Sequence, residues 1–241
     1  MARRGCLFKR DHHVRIATVL QALDAEILSE LGCYFGGGTA IVLLSKEYRE
    51  SLDIDFLISN PNGYRELRQA LKDGSGLSAI VRKGMQLDLS REVRVDQYGI
   101  RTMLNQGGVE IKFEIIFEAR ISLDPPTQNE NICGVSTLTH IDMAATKLLA
   151  NSDRWSDNAV FNRDLIDLSM LDLPSEMFKK ALQKAKLAYG ESVERDLIKA
   201  IESLKNRPGR LSSCMSAVKM NSIPEAVLWK KIRNLRTQIL D

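Results

Sequence analysis

Apolar residues recur along this chain with two different periods, and the change of period divides it. Ile16, Leu20, Leu23, Ile27 and Leu31 follow one another at spacings of three and four, which predicts a helix over Asp11–Leu31 capped by Asp11 and ended by Gly32. A short apolar stretch, Cys33–Phe35, leads into three glycines and a predicted short helix from Thr39 to Leu44. Leu52–Ser59 reads as a strand stopped by Asn60-Pro61-Asn62-Gly63, with a short helix over Tyr64–Leu71. From Ala79 to Phe117 the period becomes two. In VEIKFEIIF, Val109, Ile111, Phe113 and Ile115 face one way and Glu110, Lys112 and Glu114 the other. Asn105-Gln106-Gly107-Gly108 predicts a hairpin with the preceding IRTML. Beyond a break at Pro125-Pro126 the pattern is helical: from Thr139 to about Ser152, Arg163–Leu171, Met177–Tyr189, a helix through Val193 and Leu204, and one opened by Ser222-Ile223-Pro224-Glu225. The expectation is an α+β front followed by an all-helical rear.

Composition narrows this little. The chain has 241 residues, 44% hydrophobic and 27% charged, which suits a folded core. The longest apolar run, Ala40–Leu44, is far short of a membrane span, and the basic N-terminus has no apolar stretch behind it, so a cytoplasmic protein is expected. Cys6, Cys33, Cys133 and Cys214 show no C-x-x-C spacing and are expected to be free thiols; His12, His13 and His140 include no i, i+4 pair for a metal. Charge is uneven: residues 1–171 carry a net −3 and residues 172–241 a net +6. A basic tail fits either a nucleic-acid contact or an ordinary solvated helical surface.

The chemistry-bearing residues lie together in sequence. Asp53 and Asp55 stand two apart on the predicted strand, so both side chains leave one face about 6.6 Å apart. At that distance two ionised carboxylates repel by roughly 3 kcal/mol at an effective dielectric near 20. A divalent cation such as Mg2+ offsets that cost. Gly36-Gly37-Gly38-Thr39, between strand and helix, offers backbone N–H groups to a phosphate; it is not a Walker A loop, and a tight turn is the alternative reading. Glu114, with Glu110 as the alternative, is the candidate third carboxylate. Three carboxylates would hold two Mg2+ ions that activate an acceptor hydroxyl and support a departing pyrophosphate. In the rear, Lys147 and Arg154 fall near one helical face and could hold a polyphosphate, while Asp164 or Asp167 could orient Lys147; surface charge or an interhelical salt bridge is the other reading.

FGGGTAIVL, YRESLDIDF, VEIKFEI, DMAATKLLA with Arg154 beyond it, and RDLIDL, taken in order, resemble the nucleotidyltransferase AbiEii/AbiGii toxin family within the DNA-polymerase-β-like superfamily. The resemblance implies a minimal nucleotidyltransferase fold over residues 1–136 and a helical bundle over 137–241. It implies Mg2+, a nucleoside triphosphate, a separately encoded antitoxin and, in some relatives, tRNA acceptor ends or phage defence. By position it gives Asp53 and Asp55 to the metal, beside the candidate third ligand Glu114 from the strand pattern, with Lys147 and Asp164 also catalytic. Gly37, Gly38, Thr39, Arg49, Ser51, Lys147 and Arg154 go to the triphosphate. Arg163 stands where the family often has Lys. Transfer to a small acceptor such as an aminoglycoside, or an inactive nucleotide-binding or interaction module, are the competing readings.

Overall fold

The computed structural model describes residues 8–240 and divides into two compact units. One comprises the residues up to Leu43 with Ser51–Thr139; the other comprises Leu44–Glu50 with the chain from His140 onward. The architecture is α+β. Segment 44–50 belongs with the rear unit, which a boundary at residue 137 does not provide for.

In the first unit the predicted long N-terminal helix is two helices, α1 (Asp11–Ala22) and α2 (Ala25–Glu30). Asp24 causes the break: its carboxylate accepts the N–H groups of Glu26 and Ile27 and so starts a new helix, while Leu23 bridges to Val81. A five-stranded mixed sheet follows, formed by β1 (Cys33–Phe35), β2 (Ile54–Ile58), β3 (Arg94–Val95), β4 (Gly99–Gln106) and β5 (Val109–Phe117), in the order β1-β2-β5-β4-β3. β2 runs parallel to β5 and antiparallel to β1, and β4–β5 is the predicted hairpin, turning at Gly107 and Gly108, both at positive φ. Ile54, Phe56, Phe113 and Ile115 are fully buried, and the tilted rings of Phe35, Phe56 and Phe113 fill one side of the sheet.

Two sequence expectations change here. Asn60-Pro61-Asn62-Gly63 opens α4 (Pro61–Ala70) instead of ending in a loop: Pro61 occupies the first turn, where its missing N–H costs nothing, and Asn60 caps. Much of 79–93 is irregular, with a 3-10 turn at Gly76–Ile80 in place of alternating strand. β6 (Asn131–Ile132) and β7 (Val135–Ser136) form a small separate hairpin that the sequence pattern did not signal.

The second unit is helical: α5 (His140–Arg154), α6 (Arg163–Leu171), α7 (Ser175–Tyr189), α8 (Ser192–Lys205), α9 (Arg210–Ala217) and α10 (Glu225–Leu240). α5 packs on α6, α7 and α8, and α10 closes the bundle with Leu228, Ile232 and Leu235 buried. Lys184 of α7 pairs with the fully buried Asp142 of α5. α9, too polar to show a clear stripe, was not expected. Cys33 and Cys214 are buried free thiols as expected, whereas Cys133 is disulfide-bonded; Cys6 lies outside the described residues. No described helix is long and apolar enough to cross a membrane.

Candidate active site

In the first unit the glycine run and the Asp-x-Asp strand meet. Gly36 donates its N–H to the Asp55 carbonyl at 2.8 Å, which ties the bend to β2. A Cβ on Gly36 would lie 2.6 Å from Leu138 and 2.7 Å from Leu57, so any side chain there would displace one of these leucines. Gly37 has φ +67, and a Cβ on it would come within 2.4 Å of Asp55 Oδ2. The Asp55 carboxylate therefore lies directly against the bend. α3 (Gly37–Leu44) starts at this point, with Gly38 and Thr39 in its first turn, where helical N–H groups have no partner within the helix. Thr39 uses its hydroxyl structurally: the oxygen is 2.5 Å from the Asp53 carbonyl and 2.8 Å from Ser51 Oγ.

Asp55 alternates with buried Ile54 and Phe56, which puts its carboxylate on the face away from the aromatic core; Asp53 immediately precedes β2, and both aspartates are partly exposed. Glu114 is level with Asp55 across the parallel β2–β5 pair and faces the same way. Its carboxylate is committed to cations, Lys112 at 2.5 Å and Arg101 of β4 at 3.2 Å. Of the three expected carboxylates, Glu114 is thus ion-paired with cations from its own strand and from β4. Among the described residues no group of three or more His, Cys, Asp and Glu side chains could hold a metal ion. Glu110 lies farther along β5, in register with Asn105 and exposed. The fit for a divalent ion is that of two carboxylates near the first turn of α3, with further oxygen ligands supplied by a bound polyphosphate.

The second unit gathers the later motifs into a buried charge network. Asp167, fully buried, accepts from Tyr48 Oη at 2.6 Å, from Arg49 Nε and Nη2 at 2.7 and 2.8 Å, and from Lys147 Nζ at 2.8 Å. Asp164 accepts from Lys147 Nζ at 2.9 Å and from Arg154 Nε and Nη2 at 2.7 and 3.0 Å. Both aspartates contact Lys147, joining α5 to α6 through an interhelical ion-pair network. Burial opposes ionisation of Asp167, but Arg49 and Lys147 outweigh it and hold the carboxyl far below its ordinary range. Burial likewise works against Lys147, and Asp167 with Asp164 reverse it, so the ammonium is held charged. Burial, then the Asp167 charge, push Tyr48 well up.

Arg49 was expected to support a triphosphate. Instead it is 4% exposed, with Nε and Nη2 on Asp167 and Nη1 on the Glu50 carbonyl at 2.6 Å. Its fork is satisfied by a bidentate carboxylate, so the role visible here is structural. Arg154 differs, with a side chain 44% exposed. Ser51 contributes its hydroxyl to Thr39 and its N–H to His13 Nε2 at 3.2 Å. Sequence reasoning passed over His13 and Tyr48 as functional support. The signal for His13 was its place on the apolar stripe of α1, three residues before Ile16.

The sequence matches the nucleotidyl transferase AbiEii toxins of type IV toxin–antitoxin systems over residues 19–238. The chain belongs to this family. It is accordingly a nucleotidyltransferase, and the glycine bend, the Asp-x-Asp strand and the Lys147–Arg154–Asp164 set fall within the matched region. No curated protein is similar enough to match. Among solved structures, this AbiEii-family chain is similar to a putative nucleotidyltransferase from H. pylori at 17% identity and a TM-score of 0.48, covering 93% of this chain and 96% of that one. It is also similar to JHP933 from Helicobacter pylori, at 17% identity and 0.47, covering 97% and 98%. MenT4, the nucleotidyltransferase toxin Rv2826c from Mycobacterium tuberculosis H37Rv, matches at 16% identity and 0.49, covering 96% and 86%.

Proposed function

We propose that this chain transfers a nucleoside monophosphate from a nucleoside triphosphate to RNA, with Asp53 and Asp55 holding the divalent metal, and that it acts as the toxin of a toxin–antitoxin pair. The observation that carries the reading is the Asp55 carboxylate lodged against Gly37 at the start of α3, with Asp53 two residues before it at the edge of β2. When bound, Mg2+ would lower the pKa of an acceptor hydroxyl and neutralise polyphosphate charge. The chain's own part is positioning. The first-turn N–H groups of Gly38 and Thr39 are suited to polyphosphate oxygens; Asp55 is carried by β2, and Asp53 immediately precedes it. The acceptor oxygen attacks the α-phosphorus and loses its proton, the bond to the β-phosphate oxygen breaks, and pyrophosphate leaves. Glu114, neutralised by Lys112 and Arg101, serves as an electrostatic neighbour of the pair and not as a third ligand. In the helical unit, Lys147 and Asp164 orient Arg154, whose exposed guanidinium is suited to phosphate.

RNA is favoured as acceptor over a small cationic molecule by the net +6 of residues 172–241, and tRNA is the RNA that the family resemblance implies. Incubating the purified protein with Mg2+ and each α-labelled triphosphate, alongside total RNA or an aminoglycoside, tests the reading. Label on RNA that vanishes in Asp55→Asn is the expected result. Label only on the aminoglycoside, or tight nucleotide binding with no transfer to either, would overturn it. Expression with and without the neighbouring gene product tests the toxin role, since growth arrest relieved by that partner is expected.

A further inference from the structure

Asp53 lies just outside the sheet. β2 begins at Ile54, and residues 50–53 belong to no helix or strand, so ladder hydrogen bonds do not fix them. Residues 51–53 are held by three side chains instead. His13 of α1, fully buried, accepts the Ser51 N–H through Nε2 at 3.2 Å. Its neighbour His12 places Nε2 2.9 Å from the Leu52 carbonyl oxygen. Thr39 of α3 takes the Asp53 carbonyl. Three successive residues before the strand are thus each tied by a different side chain, two from α1 and one from α3.

We infer that His13, assisted by His12, is a positioning residue that sets the Asp53 carboxylate beside Asp55. The inference rests on the reading that this carboxylate pair holds the divalent ion. The two imidazoles act in opposite senses at the same ring atom. Nε2 of His13 accepts a hydrogen bond and so carries no proton, whereas Nε2 of His12 faces a carbonyl and so carries one. The surroundings of His13 make the assignment specific. It shares a helix face with Ile16 and Leu20, both fully buried, where an apolar side chain would serve packing equally well. Placing an imidazole there is costly unless its polar atoms are bonded, and its Nε2 is bonded to the segment carrying Asp53. An apolar replacement would fill the space but leave the Ser51 N–H unsatisfied, and the segment would relax toward another partner. A polar group that supports a metal-holding carboxylate from behind commonly sets affinity for the ion.

The test uses the full chain and compares His13→Leu, His13→Gln, His12→Ala and Asp53→Asn. Binding of Mn2+ with a non-hydrolysable triphosphate is read by electron paramagnetic resonance, transfer is read as separate kcat and KM, and circular dichroism checks the fold. His13→Leu should bind Mn2+ about 10-fold more weakly and lose kcat by a similar factor, with KM for RNA unchanged. His13→Gln, whose Oε1 can accept the same N–H, should recover Mn2+ binding to within about 3-fold of wild type, and His12→Ala should show a smaller loss of about 3-fold. If His13→Leu does not fold, His13→Asn takes its place, since its shorter amide keeps polarity but cannot reach Ser51. Wild-type Mn2+ affinity in a folded His13→Leu or His13→Asn, or a Gln variant as impaired as either, overturns the inference. Wild-type affinity in Asp53→Asn would instead overturn the carboxylate-pair reading beneath it.

Discussion

Replacing Asp167 with Asn is the sharpest perturbation of the helical unit. The carboxylate is fully buried and accepts four hydrogen bonds at 2.6 to 2.8 Å, from Tyr48, Arg49 and Lys147. Its loss leaves the Arg49 guanidinium, 4% exposed, without a counter-ion and leaves Lys147 with Asp164 alone. Removing one partner of a buried ion pair costs about 3–5 kcal/mol, and because Lys147 keeps one carboxylate the lower end, about 3 kcal/mol, is expected. Both tryptophans of the chain, Trp155 and Trp229, lie in this unit, so their fluorescence during urea unfolding reports on it directly. The effect also has a pH signature. The folded carboxyl is held below its ordinary value, so its contribution is complete above the unfolded carboxylate range near pH 4 and is lost as pH falls toward the depressed folded value. Wild type should therefore lose stability steeply below about pH 4, and Asp167→Asn should lose less over the same interval. A variant within about 1 kcal/mol of wild type at pH 7, or one with the same acid slope, would refute this account of the network.

Other outcomes follow from the same geometry. Gly37→Ala forces a side chain into φ +67 and against Asp55, so a loss of about 1–3 kcal/mol in thermal stability should accompany a fall in kcat; unchanged activity would show that the close approach is dispensable. Asp55→Asn should lower kcat by about 100-fold or more, whereas Glu114→Gln, which loses only contacts to half-exposed cations, should lower it far less; equal losses in steady-state assays would restore Glu114 as a ligand. Tyr48→Phe removes one bond to a buried carboxylate and should cost about 1.5–3 kcal/mol in the same urea experiment.

Much of this was legible in the sequence where one periodicity dominated. Val109–Phe117 alternates cleanly and is β5, and the Gly107-Gly108 turn sets its register against β4. Arg163–Leu171 is the helix that its spacing predicted. The misses arose where a side chain competed with the pattern. Asp24 splits an otherwise continuous apolar stripe into two helices by capping the second, and Pro61, a breaker within a helix, is a starter at its first turn. In the site, spacing put the Asp-x-Asp pair beside the glycine bend, and Asp55 lies against Gly37. Spacing could not show that Glu114 would be claimed by Arg101, a residue on a different strand, or that Arg49 would be spent on Asp167, 118 positions away. Those outcomes depend on tertiary pairing, which local pattern does not encode.

The most direct measurement is anomalous diffraction from crystals grown with Mn2+ and a non-hydrolysable nucleoside triphosphate. The account predicts a manganese peak coordinated by the Asp53 and Asp55 carboxylates, with the polyphosphate at the first turn of α3. A peak held elsewhere, with these two carboxylates uncoordinated, would contradict it.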